Sequence, residues 1–102
     1  MFVHTVYFWL KDGTSEASRL QLLEDCRTLL SQIPTVRKLY AGPPANTPRE
    51  VVDNSYACGL TVLFDDVAGH DVYQDHPLHL DFIERNKEHW ARVQVYDHLH
   101  AQ

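Results

Sequence analysis

Apolar and polar positions alternate over residues 2–10, FVHTVYFWL. A period of two, carried by β-branched and aromatic residues, predicts a strand over Phe2–Leu10. One face would carry Phe2, His4, Val6, Phe8 and Leu10, and the other Val3, Thr5, Tyr7 and Trp9. Both faces are largely apolar, whereas a one-sided sheet leaves a polar face to water. This strand is therefore expected to be covered on both sides. After a Lys11–Thr14 turn, with Thr14 or Ser15 as cap, the period changes. Leu22, Cys26, Leu29, Leu30 and Ile33 form a stripe at helical spacing, predicting a helix over Glu16–Ile33 that Pro34 stops.

A weaker strand is expected over Thr35–Ala41, interrupted by Arg37 and Lys38. Gly42–Asn54 holds Pro43, Pro44 and Pro48 and reads as a long loop, either packed against something or solvated. Ser55–Asp65 alternates again; Tyr56, Cys58, Leu60, Val62 and Phe64 are assigned to one face and Ala57, Gly59, Thr61 and Leu63 to the other. Asp65 or Asp66 can cap a helix to about Asp75, and Pro77 suits the first turn of a continuation ending near Trp90. Ala91–His98 is the last strand, and Leu99–Gln102 is expected to fray. The order β-α-β-β-α-β is that of an α+β, ferredoxin-like fold, with two helices on one sheet face. The uncovered face, carrying Val3, Tyr7, Trp9 and Leu63, predicts a homodimer joined sheet to sheet.

The chain has 102 residues, enough for one domain spanning 1–102. A net charge of -5, with nine scattered basic residues, argues against nucleic acid as a partner. No apolar run reaches the roughly 18–20 residues of a membrane span, so no membrane partner is expected. Cys26 and Cys58 show neither CxxC nor zinc spacing. With no basic segment ahead of the first strand, they predict free thiols and a cytoplasmic setting.

The densest candidate chemistry lies in YQDHPLHLDFI, residues 73–83. Pro77 must break the helix there. Beyond it His79, Phe82, Ile83, Asn86 and Trp90 share one helix face. An imidazole titrating near pH 6.5 can exchange protons at working pH, and an apolar setting favours its neutral, basic form. Tyr73 can donate a hydrogen bond to a carbonyl or enolate oxygen. Six residues of straight helix span about 9 Å, which would put both on one small ligand but out of mutual contact, unless the kink at Pro77 changes that distance. The alternative is a buried histidine satisfied by one partner. His4, on the strand face turned to the helices, needs a partner too. His76 and His79 have a metal-ligand spacing, but Pro77 lies between them and the helix turns them apart, so no metal is expected. His98 and His100 read as a solvated end.

These features together resemble the Dabb family, the stress-responsive dimeric α/β barrel domain, over nearly the whole chain. The resemblance rests on His4 and Lys11 around the first strand, on Ile33-Pro34, on Tyr73 with His76-Pro77-Leu78-His79, and on Trp90 leading into Val93-Gln94-Val95-Tyr96-Asp97. It implies a ferredoxin-like dimer whose sheets pack as a barrel, and no cofactor. Most members have no assigned activity. A plant member closes a linear polyketide by aldol condensation. By alignment, its acid/base histidine and its substrate-positioning tyrosine correspond to His79 and Tyr73, and a pocket histidine to His4. Where that cyclase has a tyrosine and a further histidine, this chain has Cys26 and Cys58. The resemblance implies a small apolar or carbonyl ligand held by His4, Val6, Phe8, Cys26, Cys58, Leu60, His76, Phe82 and Trp90. Cyclase-like or lyase-like catalysis by His79 and Tyr73 is the alternative to a non-enzymatic stress protein or a purely structural dimer.

Overall fold

The computed structural model describes residues 1–101. Four strands, β1 (Phe2–Leu10), β2 (Lys38–Gly42), β3 (Cys58–Phe64) and β4 (Trp90–Leu99), form one sheet in the order β2-β3-β1-β4. All three pairings are antiparallel. Helices α1 (Glu16–Thr28), α2 (Val67–Asp75) and α3 (Pro77–Asn86) cover one face. The ferredoxin-like α+β expectation holds, with the second helix divided in two.

Strict alternation places Phe2, His4, Val6 and Phe8 of β1 and Cys58, Leu60, Val62 and Phe64 of β3 under the helices, all of them buried. Leu22, Leu23 and Cys26 of α1, with Leu30 and Ile33 just beyond it, complete the core with Tyr73 and Phe82. Ser15 caps α1 by accepting from Ser18 N, and Asp66 caps α2 by accepting from Gly69 N at 3.0 Å. The buried Asp25 carboxylate accepts from Arg85 Nε and Asn86 Nδ2, both at 2.9 Å, and ties α1 to α3.

Several boundaries differ from expectation. The α-helix stops at Thr28, and Leu30–Gln32 is a 3-10 turn, because Pro34 forces Ile33 into extended backbone (ψ 125°). β2 begins at Lys38 because Val36 N–H closes a turn on Ile33 O. α3 ends at Asn86, and a 3-10 turn over Lys87–His89 leads into β4. The third strand begins at Cys58, not Ser55, so alternation does not extend back to Tyr56. Tyr56 lies on the outer face, its ring 4.8 Å from that of Tyr7. Leu99 does not fray: it pairs with Phe2, and His100 N–H donates to Met1 O at 2.9 Å.

The outer face carries Tyr7, Trp9, Tyr56 and Tyr96, with the Arg92 guanidinium over the Trp9 ring at 4.4 Å. Part of the long loop packs here: Val52 and Asp53 border the same concavity as Tyr7 and Trp9, and Trp9 Nε1 donates to Ser55 Oγ. The inner side of the edge strand β4 is poorly covered, leaving Val93 40% and Val95 43% exposed.

Candidate functional site

A cavity of about 170 Å³ lies between β1, β4 and the α2–α3 corner. Val6, Phe8, Leu60, Phe82, Ile83, Trp90, Val93 and Val95 make most of its wall apolar; His4, Tyr73, Gln74 and His79 are its polar members. The corner sets their geometry. His76 leaves the helical path (ψ 139°), its Nδ1 accepts from Leu78 N, and Pro77 takes the first helical position, where no N–H is needed. The chain thereby turns His79 back onto α2. Its ring centroid lies 4.6 Å from that of Tyr73, in direct contact, which the straight-helix distance had excluded.

His79 Nδ1–H donates to the Gln74 carbonyl at 3.0 Å. A carbonyl only accepts, so the proton is on Nδ1, and the neutral ring keeps its lone pair on Nε2. Burial lowers the pKa of His79; the Gln74 carbonyl and Asp75 oppose that shift, while His4 and His70 add to it. Tyr73 is 1% exposed, and burial raises its phenol pKa, so it remains a protonated donor. His4 Nδ1 is 2.6 Å from Asp97 Oδ1, its direct cross-strand neighbour. Burial lowers the His4 pKa against the opposing hydrogen bond and charge of Asp97. The Trp90 indole N–H is buried with no hydrogen-bond partner among the described residues. An unmet buried donor of this kind costs about 1–3 kcal/mol.

The structure brings His4, Val6, Phe8, Leu60, Tyr73, His79, Phe82 and Trp90 to this cavity. It does not bring Cys26, Cys58 or His76. The two cysteines are fully buried free thiols where α1 packs on β3. The Cys58 sulfur and burial together push the Cys26 thiol pKa far up, so Cys26 is an inert core group. His76 is committed to capping α3. Two residues were missed. Asp97 continues the inward row of Val93 and Val95, and pairing β4 with β1 would have set it opposite His4. His70 stacks on Phe2 with centroids 4.6 Å apart; it stands three residues before Tyr73, on the same helix face. Donor atoms of His4, His70 and Asp97 lie within 4.8 Å of one another, which makes them the residues here able to hold a cation.

A four-stranded antiparallel sheet with helices on one face is the ferredoxin-like architecture found among the stress-responsive A/B barrel domains. The family model matches residues 2–99, and the chain belongs to this family, Dabb. A Dabb family protein with a ferredoxin-like fold from Mesorhizobium loti is 26% identical, with a TM-score of 0.79 over 99% of this chain and 97% of that one. A dimeric ferredoxin-like protein of unknown function from Thermobifida fusca is 18% identical, with a TM-score of 0.81 over 95% of this chain and 88% of that one. The hydroxynitrile lyase of Passiflora edulis is 17% identical, with a TM-score of 0.83 over 99% and 94%. No curated protein matches the sequence. No helix among the described residues is long and apolar enough to cross a membrane.

Proposed function

We propose that this Dabb protein is a homodimer that binds a small, largely apolar molecule bearing a carbonyl or related oxygen, with His79 as its acid/base group and Tyr73 as hydrogen-bond donor. The observation that carries this reading is the meeting of His79, Tyr73 and His4 on one apolar-walled cavity. The division of roles follows from chemistry. An imidazole held neutral with Nε2 free accepts a proton from an acidic C–H or O–H. A phenol kept protonated by burial stabilises the oxygen on which charge develops. The Passiflora protein supports an active role for such a site, since the same fold there is a hydroxynitrile lyase. The two buried free thiols fit a reducing, cytoplasmic setting.

The dimer places a second copy on the outer sheet face. Support comes from its aromatic surface, with Tyr40 and Tyr96 each 59% exposed, and from dimeric relatives of the same fold. Light scattering should give twice the chain mass, and Tyr7→Asp should give monomer or aggregate; a dimer untouched by Tyr7→Asp would mean another interface. The ligand is tested by thermal-shift screening with small aromatic and keto acids, followed by calorimetry on hits. Binding should be lost or weakened in His79→Ala while the circular dichroism spectrum is retained. Hits that bind His79→Ala as well as the native chain would remove His79 from the site.

A further inference from the structure

The group of His4, His70 and Asp97 stands outside the roles given to His79 and Tyr73. The three come from three elements, β1, α2 and β4. Their donor atoms lie within 4.8 Å of one another. Their burial is graded: the His4 side chain is 5% exposed, His70 14% and Asp97 36%. Two rings are thus held in the protein, while the carboxylate stands between interior and solvent, on the path an ion would enter. From these positions we infer a divalent transition-metal site beside the cavity, which His4 also lines, with His4, His70 and Asp97 as protein ligands and zinc as the fitting ion.

The first argument is distance. Zinc takes imidazole nitrogen at about 2.0–2.1 Å and carboxylate oxygen at about 2.0–2.2 Å, so donors around one tetrahedral ion lie about 3.3 Å apart. His4 Nδ1 and Asp97 Oδ1, 2.6 Å apart in their hydrogen bond, must part by about 0.7 Å to share an ion. The widest donor separation, within 4.8 Å, must close by at most about 1.5 Å, a distance on the scale of a side-chain rotation.

Outer contacts give a second argument. Ligating histidines are commonly oriented through their other ring nitrogen by a carboxylate. His70 Nδ1 faces Asp71 Oδ1 at 3.3 Å, which leaves Nε2 as the basic atom. That Nε2 now accepts from Gln74 Nε2 at 3.0 Å, and the Gln74 amide would swing aside for the ion. Stacking of Phe2 on the His70 ring, at 4.6 Å, holds its plane.

Two imidazoles and one carboxylate suit zinc and its first-row neighbours, not magnesium or calcium, which prefer all-oxygen sets. Three protein ligands leave a fourth position open, as in sites that also bind water or a small molecule.

The test uses full-length protein without a histidine tag, dialysed against chelator. Zinc is added by calorimetry and cobalt(II) is followed by its visible absorption. One ion per chain should bind, with a tetrahedral cobalt spectrum. His70→Ala and Asp97→Asn should each weaken binding about tenfold or more. His79→Ala and His89→Ala should bind like the native chain, and excess magnesium should not compete. Thermal melts of each variant show that it is folded, and Asp97→Asn serves should His70→Ala not be. No stoichiometric uptake at high-micromolar zinc, or uptake unchanged in both ligand variants, would overturn the site. Since His79→Ala should weaken or remove the proposed organic-ligand binding but not metal uptake, the two readings fail separately.

Discussion

Phe82→Ala probes whether the cavity is a built feature of the core. Phe82 is 2% exposed, and its ring lies 5.9 Å from both Phe8 and Trp90, which are themselves 5.0 Å apart. Truncating a buried Phe costs about 3–5 kcal/mol, from lost transfer energy and the void left behind. One side of Phe82 already borders the cavity, so its ring has fewer partners to lose. The expected cost is therefore at the lower end, about 3 kcal/mol. For a chain of 102 residues the unfolding entropy near the midpoint is about 0.2 kcal/mol/K, so Tm should fall by about 15 °C. The assay is differential scanning calorimetry at fixed protein concentration, since a dimer's midpoint depends on concentration. A small apolar compound that fills the enlarged space should restore part of the loss, in proportion to RT ln(1 + [L]/Kd). A fall below about 5 °C would contradict the aromatic packing on which the site rests.

Arg85→Ala leaves the buried Asp25 carboxylate with Asn86 Nδ2 as its remaining side-chain donor. The Arg85 side chain is 53% exposed, so solvent screens the pair and the loss of stability by urea titration should be small but measurable; no loss would mean that water replaces the guanidinium fully. For pH, the relevant shift is that of His79, lowered by burial. As pH falls through the unfolded value near 6.5, the unfolded chain takes up a proton that folded His79 refuses. The His79 contribution is thus fully present above about 6.5 and is lost on acidification toward the lower folded value. Urea midpoints of metal-free protein should fall below pH 6.5 less steeply in His79→Ala than in the native chain; equal slopes would mean that His79 titrates as an ordinary exposed imidazole.

The parts of the fold legible in the sequence are those where one periodicity runs unbroken. β1 and the inward row from Cys58 to Phe64 follow from alternation because the helices bury every second residue. Tyr56 was misplaced because alternation assigns faces only where the backbone is paired, and pairing begins at Cys58. The early end of α1 is a Pro34 effect reaching back through Ile33, a local rule whose extent depends on the 3-10 turn before it. At the site, the inward face of His79 was legible from helical spacing, but its contact with Tyr73 was not. That contact depends on the angle of the turn at His76, which sequence does not specify. Asp97 was hidden for a different reason. Its partner is 93 residues away, and only strand order and register bring it to His4. The cysteines were drawn into the site by resemblance alone, and packing of α1 on β3 removes them from it.

The chain carries two tryptophans on opposite sheet faces, and their indole N–H resonances report independently. Trp90 lines the cavity, with its Nε1 buried and unpartnered among the described residues; Trp9 Nε1 donates to Ser55 Oγ on the outer face. A two-dimensional proton–nitrogen NMR titration with a small keto acid or aromatic hit is the most direct measurement. The Trp90 indole signal should move with saturable dependence on ligand, and the Trp9 signal should stay in place. Movement of the Trp9 indole alone, or binding detected by calorimetry with the Trp90 indole unmoved, would contradict a ligand site at His79.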